Sequence, residues 1–152
     1  MGKKKIIQKN EEELLREREQ VEANIRKEFQ GDEKKKGRMI EGNIYISSSY
    51  NNTIITLADN SGNVIAWASS GNIGYKGTKK GTPYAASKVA ELITQKAKKA
   101  GVERINVFVK GIGTGRDSAI RSLAAQGMDI ILIKDVTPIP HNGCKRPRRR
   151  RV

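Results

Sequence analysis

Apolar and polar residues alternate with a period of two early in the central part of the chain. The alternation is clearest at 44–47, and short apolar runs follow at 54–57 and 64–67. A period of two places every second side chain on one face, which is typical of a strand with one buried side. The residues between the runs, 51–52 and 59–62, are Asn, Asp, Ser and Gly, which favour tight turns. The pattern therefore predicts an antiparallel meander of three short strands.

Helical spacing replaces this alternation after residue 82. Small apolar residues recur every three or four positions from 83 to 100. Thr82 is a suitable N-cap residue, Pro83 suits the first helical position, and Gly101 suits the end of a helix. The spacing predicts an amphipathic helix over 83–100.

A β-α-β unit is predicted after this helix. It consists of a strand at 104–110, a helix at 117–126 that ends before Gly127, and a strand at 128–134. Residues 130–133 are apolar at every position, which predicts a strand covered on both faces. The two strands of such a unit should run parallel. The predicted fold class is α/β, with a mixed sheet of about five strands, an antiparallel meander plus two parallel strands, and covering helices.

A glycine-rich turn connects the first strand of this unit to its helix. Gly111, Gly113 and Gly115 stand at alternate positions, and Arg116 and Arg121 follow them. Glycine permits positive φ and close approach, and the first turn of a helix offers unpaired N–H groups, so we expect the turn to bind phosphate. The dinucleotide pattern G-x-G-x-x-G and the P-loop pattern both fail here, while a purely structural connection is the alternative. On the phosphate hypothesis, Gly113→Val should impair ligand binding more than stability, and Arg116→Ala should weaken binding with the fold intact.

The charge of the chain indicates a polyanionic partner. It has 30 Lys and Arg residues against 16 Asp and Glu, a formal net charge of +14. Such a balance is typical of proteins that bind nucleic acid. The loop at 69–82 carries Lys76, Lys79 and Lys80 beside Tyr75, which suits phosphate contact and base stacking. The loop is too rich in glycine and lysine to pack as a core, and an ordinary surface loop is the alternative.

The two ends of the chain differ from its centre. Residues 10–29 predict a charged helix with a thin apolar stripe, too thin for a core, that either docks on a partner or stays solvated. Residues 138–152 contain prolines and six basic residues, and we expect this tail to be disordered alone and ordered on RNA. We predict a basic N-terminal arm, charged helix and linker over 1–41, an α/β core over 42–137 and a basic tail over 138–152. The members of the stripe are Leu14, Val21, Ile25 and Phe29.

No targeting signal or membrane-spanning run is recognisable at the N-terminus, and the chain has one cysteine, Cys144. These features predict a cytoplasmic protein with no membrane partner and no disulfide. We expect Cys144 to be a small buried residue or one that faces RNA.

Four segments resemble the small-subunit ribosomal protein S11 family. They are residues 50–53, 74–77, 110–121 and 135–144, the last of which is the most specific because it has the sequence Asp-Val-Thr-Pro-Ile-Pro-His-Asn-Gly-Cys. The similarity extends over roughly residues 42–152, and the C-terminal motif resembles the bacterial and organellar branch. The chain departs from the family at Ile112 and Thr114, where prolines are usual.

The resemblance implies a ribonuclease-H-like fold and a structural role in the small ribosomal subunit, in assembly and translation. It implies ribosomal RNA as the partner, on the platform near the messenger RNA exit region, with messenger RNA nearby. It also implies neighbouring small-subunit proteins of the seventh, eighteenth and twenty-first families. It implies no catalysis, cofactor, metal or small-molecule substrate. The residues that we expect to contact RNA are Asn51, Asn52, Lys76, Lys79, Lys80, Gly111, Gly113, Gly115, Arg116, Arg121, His141, Asn142, Lys145, Arg146, Arg148, Arg149, Arg150 and Arg151.

Three other functions compete with this interpretation. A ribonuclease-H-like nuclease needs several converging carboxylates, and residues 43–50 of the first strand contain none. A hydrolase would have to use His141, the only histidine, in the tail, and a zinc site there would have only His141 and Cys144 as ligands. A free-standing RNA-binding regulator is the more serious alternative.

Overall fold

The computed structural model describes residues 15–16, 19–24, 41–145 and 147. Most of the predicted N-terminal helix and all five arginines of the tail lie outside these residues. The five strands are β1 (Glu41–Ser49), β2 (Asn52–Ala58), β3 (Val64–Ser69), β4 (Arg104–Gly111) and β5 (Asp129–Asp135). A 3₁₀ helix spans Gly77–Gly81, and the two α-helices are α1 (Pro83–Ala100) and α2 (Gly115–Ala125).

The strands form one mixed sheet in the order β3-β2-β1-β4-β5. β1 pairs antiparallel with β2, and β2 pairs antiparallel with β3, as the meander predicts. β4 runs parallel to β1 on one side and to β5 on the other. The predicted fold class, α/β with a five-stranded mixed sheet, is therefore confirmed.

Both helices pack on the same face of the sheet. α1 contacts β2 and β3, α2 contacts β1 and β4, and the two helices pack against each other. The strand residues beneath them are fully buried, and they include Ile44, Ile46, Ile55, Leu57 and Val107. Alternate residues of the same strands face away from the helices. Period-two alternation therefore assigned the buried face correctly.

The ends of α1 follow the predicted caps. The Thr82 side chain accepts a hydrogen bond from the Ala85 amide at 3.3 Å, and Gly101 takes φ +80° at the C-cap. α2 begins at Gly115, two residues before the start that the sequence predicts, residue 117.

The loop before α1 contributes to the core. Ile73 is 1% exposed and belongs to the main apolar cluster, with Ser70 buried beside it. The expectation that this loop cannot pack as a core is wrong, because a single isoleucine among the glycines anchors it.

Strand β5 is not covered on both faces, so that prediction is wrong. Ile131 and Ile133 are each 54% exposed, and Leu132 is 46% exposed. β5 is the outer strand of the sheet, and α2 returns over β1 and β4 instead of β5. An all-apolar strand can therefore lie at an edge, where its apolar side chains remain accessible.

The N-terminal helical segment contacts the core. Val21 is 9% exposed and packs within the main cluster, and a Cβ on Gly74 would lie 3.4 Å from its Cγ2 atom. The sequence predicts a stripe too thin to form a core of its own, and one of its members, Val21, packs into the core of the sheet domain. Leu14, Ile25 and Phe29 lie outside the described residues, and the domain boundary at residue 41 stays a prediction.

Val21→Ala should lower the free energy of unfolding by about 1 kcal/mol, because it removes two buried methyl groups at the edge of the core. Leu15→Ala in the same segment is the control, since Leu15 is 55% exposed and should change stability by less than about 0.5 kcal/mol. Urea unfolding of both variants measures the difference. Equal midpoints would show that the segment does not stabilise the core.

Candidate nucleic-acid interface

The predicted RNA-binding segments meet where β1 and β4 end. These strands are parallel, with Ser48 opposite Gly111, so the turn after β1 and the turn after β4 lie at the same edge. Ligand sites of open α/β sheets commonly occur beyond the carboxyl ends of the strands. We call this region the turn edge and define it by residues 50–52, 76–81 and 111–116.

The glycine turn packs closely against the end of β1. The Gly113 amide donates a hydrogen bond to the Ser48 carbonyl at 3.0 Å. A Cβ on Gly111 or Gly113 would lie less than 3.0 Å from the carbonyl oxygen of Ser48 or Ser49, respectively. Of the three glycines in the turn, only Gly111 takes positive φ, at +101°. The close approach that we expected from a phosphate is thus made by the chain's own backbone, and we no longer expect Gly113→Val to spare stability.

The basic loop joins the same edge. The Thr114 hydroxyl donates a hydrogen bond to the Gly81 carbonyl at 2.9 Å, which ties the end of the 3₁₀ helix to the glycine turn. Gly81 also lies against Tyr50, because a Cβ there would lie less than 3.0 Å from the Tyr50 carbonyl oxygen. Three segments that are distant in sequence therefore form one continuous surface.

Arg116 closes the turn instead of standing free. Its guanidinium donates to the Gly111 carbonyl at 2.5 Å and forms an ion pair with Asp135 at 2.5 Å. Asp135 also accepts hydrogen bonds from the Thr137 amide and hydroxyl, at 2.8 and 2.6 Å. The Gly111 amide in turn donates to the Thr137 hydroxyl at 3.1 Å. These four residues, which we call the Arg116 clamp, tie β4, α2 and β5 to the start of the tail.

The clamp lowers the pKa of Asp135 to about 2 from its ordinary value of 3.8. The hydrogen bonds from the Thr137 hydroxyl and amide are the main causes, followed by the hydrogen bond from Arg116. All three favour the ionised carboxylate.

Asp135→Asn should therefore make the protein modestly less stable at neutral pH, because the amide cannot accept the same charge-assisted bonds. A carboxyl with a lowered folded-state pKa stabilises the fold above its unfolded pKa and loses that contribution as the pH falls through the folded value. The difference between the two proteins should thus be constant above about pH 4 and shrink towards about pH 2. Urea unfolding across this range measures it.

Asp129→Asn is the matched control, because Asp129 is an exposed acid at the other end of β5. A pH profile of Asp135→Asn that parallels the unmodified protein down to pH 2 would contradict the role of the clamp.

The remaining predicted contact residues differ in exposure. Asn51 and Arg121 are exposed, and Asn52 is half-buried. The described residues at 138–145, which include His141, Asn142 and Lys145, are all exposed, and so is Cys144. Among the loop lysines, Lys76 and Lys79 are exposed and Lys80 is half-buried. Arg146 and Arg148 to Arg151 lie outside the described residues.

Sequence reasoning missed two features of this region. Lys110 is an exposed cation directly before the glycine turn, and Thr137 organises the clamp. The alternation of β4 places Lys110 on the polar face and could have identified it. The contact between Thr137 and Gly111 joins positions 26 residues apart, so no local pattern indicates it.

Within the described part of the chain, no three His, Cys, Asp or Glu side chains gather as a metal site would require. The helices described there are also too short or too polar to cross a membrane.

A family model for ribosomal protein S11 matches residues 42–151. The chain belongs to the ribosomal protein S11 family. Membership of the S11 family makes it a small-subunit ribosomal protein that binds ribosomal RNA, in a family whose role is structural and not enzymatic. The match begins within β1 and includes the whole turn edge and the tail up to residue 151.

Proposed function

We propose that this chain binds ribosomal RNA through the turn edge and the basic tail, on the platform of the small subunit near the messenger RNA exit region. The observation that carries the proposal is the convergence of the glycine turn, the basic loop and the β1–β2 turn at one edge of the sheet. The tail leaves from the same edge through the Thr137 hydrogen bond. A single RNA surface could therefore contact all four segments.

The chemistry of the turn edge fits a phosphate backbone. Lys76, Lys79, Lys80 and Lys110 provide cations, while the charge of Arg116 is shared with Asp135. Asn51 adds an exposed amide that can donate to phosphate or to base edges. Lysine contacts of this kind fix position and supply affinity, whereas amide contacts add selectivity.

The finer assignments rest on the similarity to the S11 family. We propose cytoplasmic ribosomes as the location, a role in subunit assembly and translation, and neighbouring proteins of the seventh, eighteenth and twenty-first small-subunit families. Exposed apolar side chains on β5, such as Ile131 and Ile133, provide area for a neighbouring protein. Messenger RNA near the exit region would pass close to this protein without being its main ligand.

The protein should sediment with small subunits through a moderate-salt gradient. In equilibrium binding to small-subunit ribosomal RNA, log affinity should fall linearly with log salt, by about 0.7 to 0.9 per phosphate contact. Binding with a flat salt dependence would contradict the proposed interface. Equal affinity for ribosomal and unrelated RNA, with no sedimentation, would favour the free-standing regulator.

Replacing Lys76, Lys79 and Lys80 together with Gln should weaken RNA binding and make the salt slope shallower by about two to three units. The matched control replaces Lys96, Lys98 and Lys99, which lie near the other end of α1. α1 has 18 residues, so these lysines lie up to about 27 Å from the turn edge. Equal losses in the two triple variants would mean that affinity depends on overall charge and not on the turn edge.

A further inference from the structure

One row of side chains crosses the whole sheet on the face opposite the helices, which we call the open face. The strand registers place Trp67 beside Thr56, Thr56 beside Tyr45, Tyr45 beside Phe108, and Phe108 beside Lys134. Neighbouring strands are about 4.8 Å apart, so the row extends over about 19 Å. Every strand contributes one residue to it.

The aromatic rings of this row are accessible. Tyr45 is 42% exposed and Trp67 is 53% exposed. The Tyr45 and Phe108 rings stack with their centroids 5.1 Å apart and their planes at 17°. Trp67 lies two strands from Tyr45, or about 10 Å away. The open face thus presents two separate aromatic surfaces.

The charge of the open face favours an anionic partner. Lys134 ends the aromatic row, and Lys110 lies on the same face next to the turn edge. Neither lysine is paired with an acid among the described residues. Two acids, Glu41 and Asp129, lie beside Arg104 at the far end of this face, and Arg104 forms an ion pair with Glu41 at 3.4 Å. The open face is therefore weakly basic and continuous with the proposed RNA surface.

We propose that the open face is a base-stacking platform for a single-stranded segment of RNA. Trp67 would stack on one base and the Tyr45–Phe108 pair on another, while Lys134 and Lys110 contact the connecting phosphates. Exposed aromatic rings on a sheet, combined with nearby cations, are the means by which proteins bind unpaired nucleotides. The proposal rests on ribosomal RNA binding and adds the class of RNA that this face takes.

RNA accounts for this face better than an apolar protein partner does. The aromatic row is interrupted by Thr56. The next row contains Leu132 together with Asn43 and Asn106, which hydrogen-bond to each other at 3.2 Å. An apolar partner would have to desolvate these polar groups together with the unpaired lysines. A nucleotide strand stacks on the rings and leaves polar groups next to water or to its own sugars and phosphates.

The single tryptophan of the chain allows a direct test, because Trp67 lies in the row. The full-length protein is titrated with single-stranded oligoadenylate and, separately, with duplex RNA of the same phosphate count. Trp67 emission should be quenched much more by the single strand. Equal emission changes with the two probes would overturn the proposal.

Variants then separate stacking from charge. Tyr45→Leu and Trp67→Leu should each weaken oligoadenylate binding roughly 5- to 150-fold with no change in salt slope, because the rings carry no charge. Tyr45→Phe and Trp67→Phe should restore most of the affinity. Leu15→Ala is the control, since Leu15 is 55% exposed but lies outside the sheet, and this variant should bind normally.

The outcomes distinguish this proposal from the proposed function. If the leucine variants bind oligoadenylate and ribosomal RNA normally, the platform is refuted while ribosomal RNA binding stands. If those variants bind RNA normally but fail to enter small subunits, the open face contacts a protein and the proposal is also refuted. If the unmodified protein does not bind ribosomal RNA, the proposed function fails first.

Discussion

Gly113→Ala should lower the free energy of unfolding by about 3 kcal/mol or more. The new Cβ would lie less than 3.0 Å from the Ser49 carbonyl oxygen and from the Ser48 hydroxyl oxygen. The backbone oxygen cannot move aside without disturbing the end of β1, where Ser48 accepts the Gly113 hydrogen bond. Overpacking of this kind usually costs 1 to 3 kcal/mol, and a backbone clash belongs at or above the upper end.

Gly127→Ala is the matched control for this result. Gly127 takes φ +76°, but a Cβ there would meet nothing within 4 Å, so the substitution adds backbone strain without a clash. It should cost only about 1 kcal/mol. Chemical denaturation of both variants, with ribosomal RNA binding measured on the folded fraction, tests the difference. A stable Gly113→Ala protein with impaired RNA binding would instead restore the interpretation of the turn as an open phosphate site.

The buried side of the fold could be predicted because local patterns determine it. Alternation at Ile44 and Ile46 identified the buried face of β1, and Thr82 with Gly101 identified the ends of α1. Each of these signals depends on residues within one element. Interactions confined to one strand or one helical turn can be predicted from the sequence alone.

Features that depend on distant elements could not be predicted. Apolar residues at every position of 130–133 indicated a buried strand, but whether a helix covers β5 depends on where α2 crosses the sheet. The three glycines indicated a close approach, and for Gly111 and Gly113 the approaching backbone is the end of β1. Val21 likewise packs against Gly74, which is more than 50 residues away in the sequence. In each case the residue type indicated that a contact forms, but the element that it contacts depends on the order in which the strands and helices pack.

The residues of the candidate site likewise divide into those that local patterns identify and those whose contacts depend on distant elements. The loop lysines and Asn51 were assigned from composition and from the S11 resemblance, and they remain proposals as RNA contacts. Arg116 was assigned as an RNA contact because it follows a glycine turn, but the position of its partner Asp135, 19 residues away at the end of β5, gives no local signal. The aromatic row is visible only when the registers of five strands are combined.

Truncation after Pro140 should leave the thermal melt of the free protein nearly unchanged while RNA affinity falls by orders of magnitude at low salt. The melting temperature should be unchanged because Asp135 and Thr137 are retained and the hydrogen bonds of the Arg116 clamp remain. Residues 141–145 are exposed, so their removal uncovers little apolar surface. The lost segment carries six basic residues and no acid, and its main contribution should be to phosphate contact.

The salt dependence makes this expectation quantitative. If all six basic residues contact phosphate, their removal makes the log–log slope shallower by about four to five units. The affinity advantage of the full chain should then grow on the order of a thousandfold between about 200 and 50 mM salt. A full-length variant with the six residues replaced by Gln separates charge from chain length, and it should behave like the truncated protein. The residues replaced are Lys145, Arg146, Arg148, Arg149, Arg150 and Arg151.

If the tail becomes ordered only on RNA, as the sequence predicts, the entropy cost of ordering it determines the direction of a second measurement. A chain that becomes ordered on binding loses conformational entropy, and Pro138 and Pro140 reduce that loss because their φ angles are already restricted. Pro138→Ala and Pro140→Ala should therefore weaken RNA binding by a few tenths of a kcal/mol up to about 1 kcal/mol, with the salt slope unchanged.

Truncated and full-length proteins with equal affinity and equal slope would remove the tail from the RNA interface, and the turn edge would then have to supply the whole electrostatic contribution.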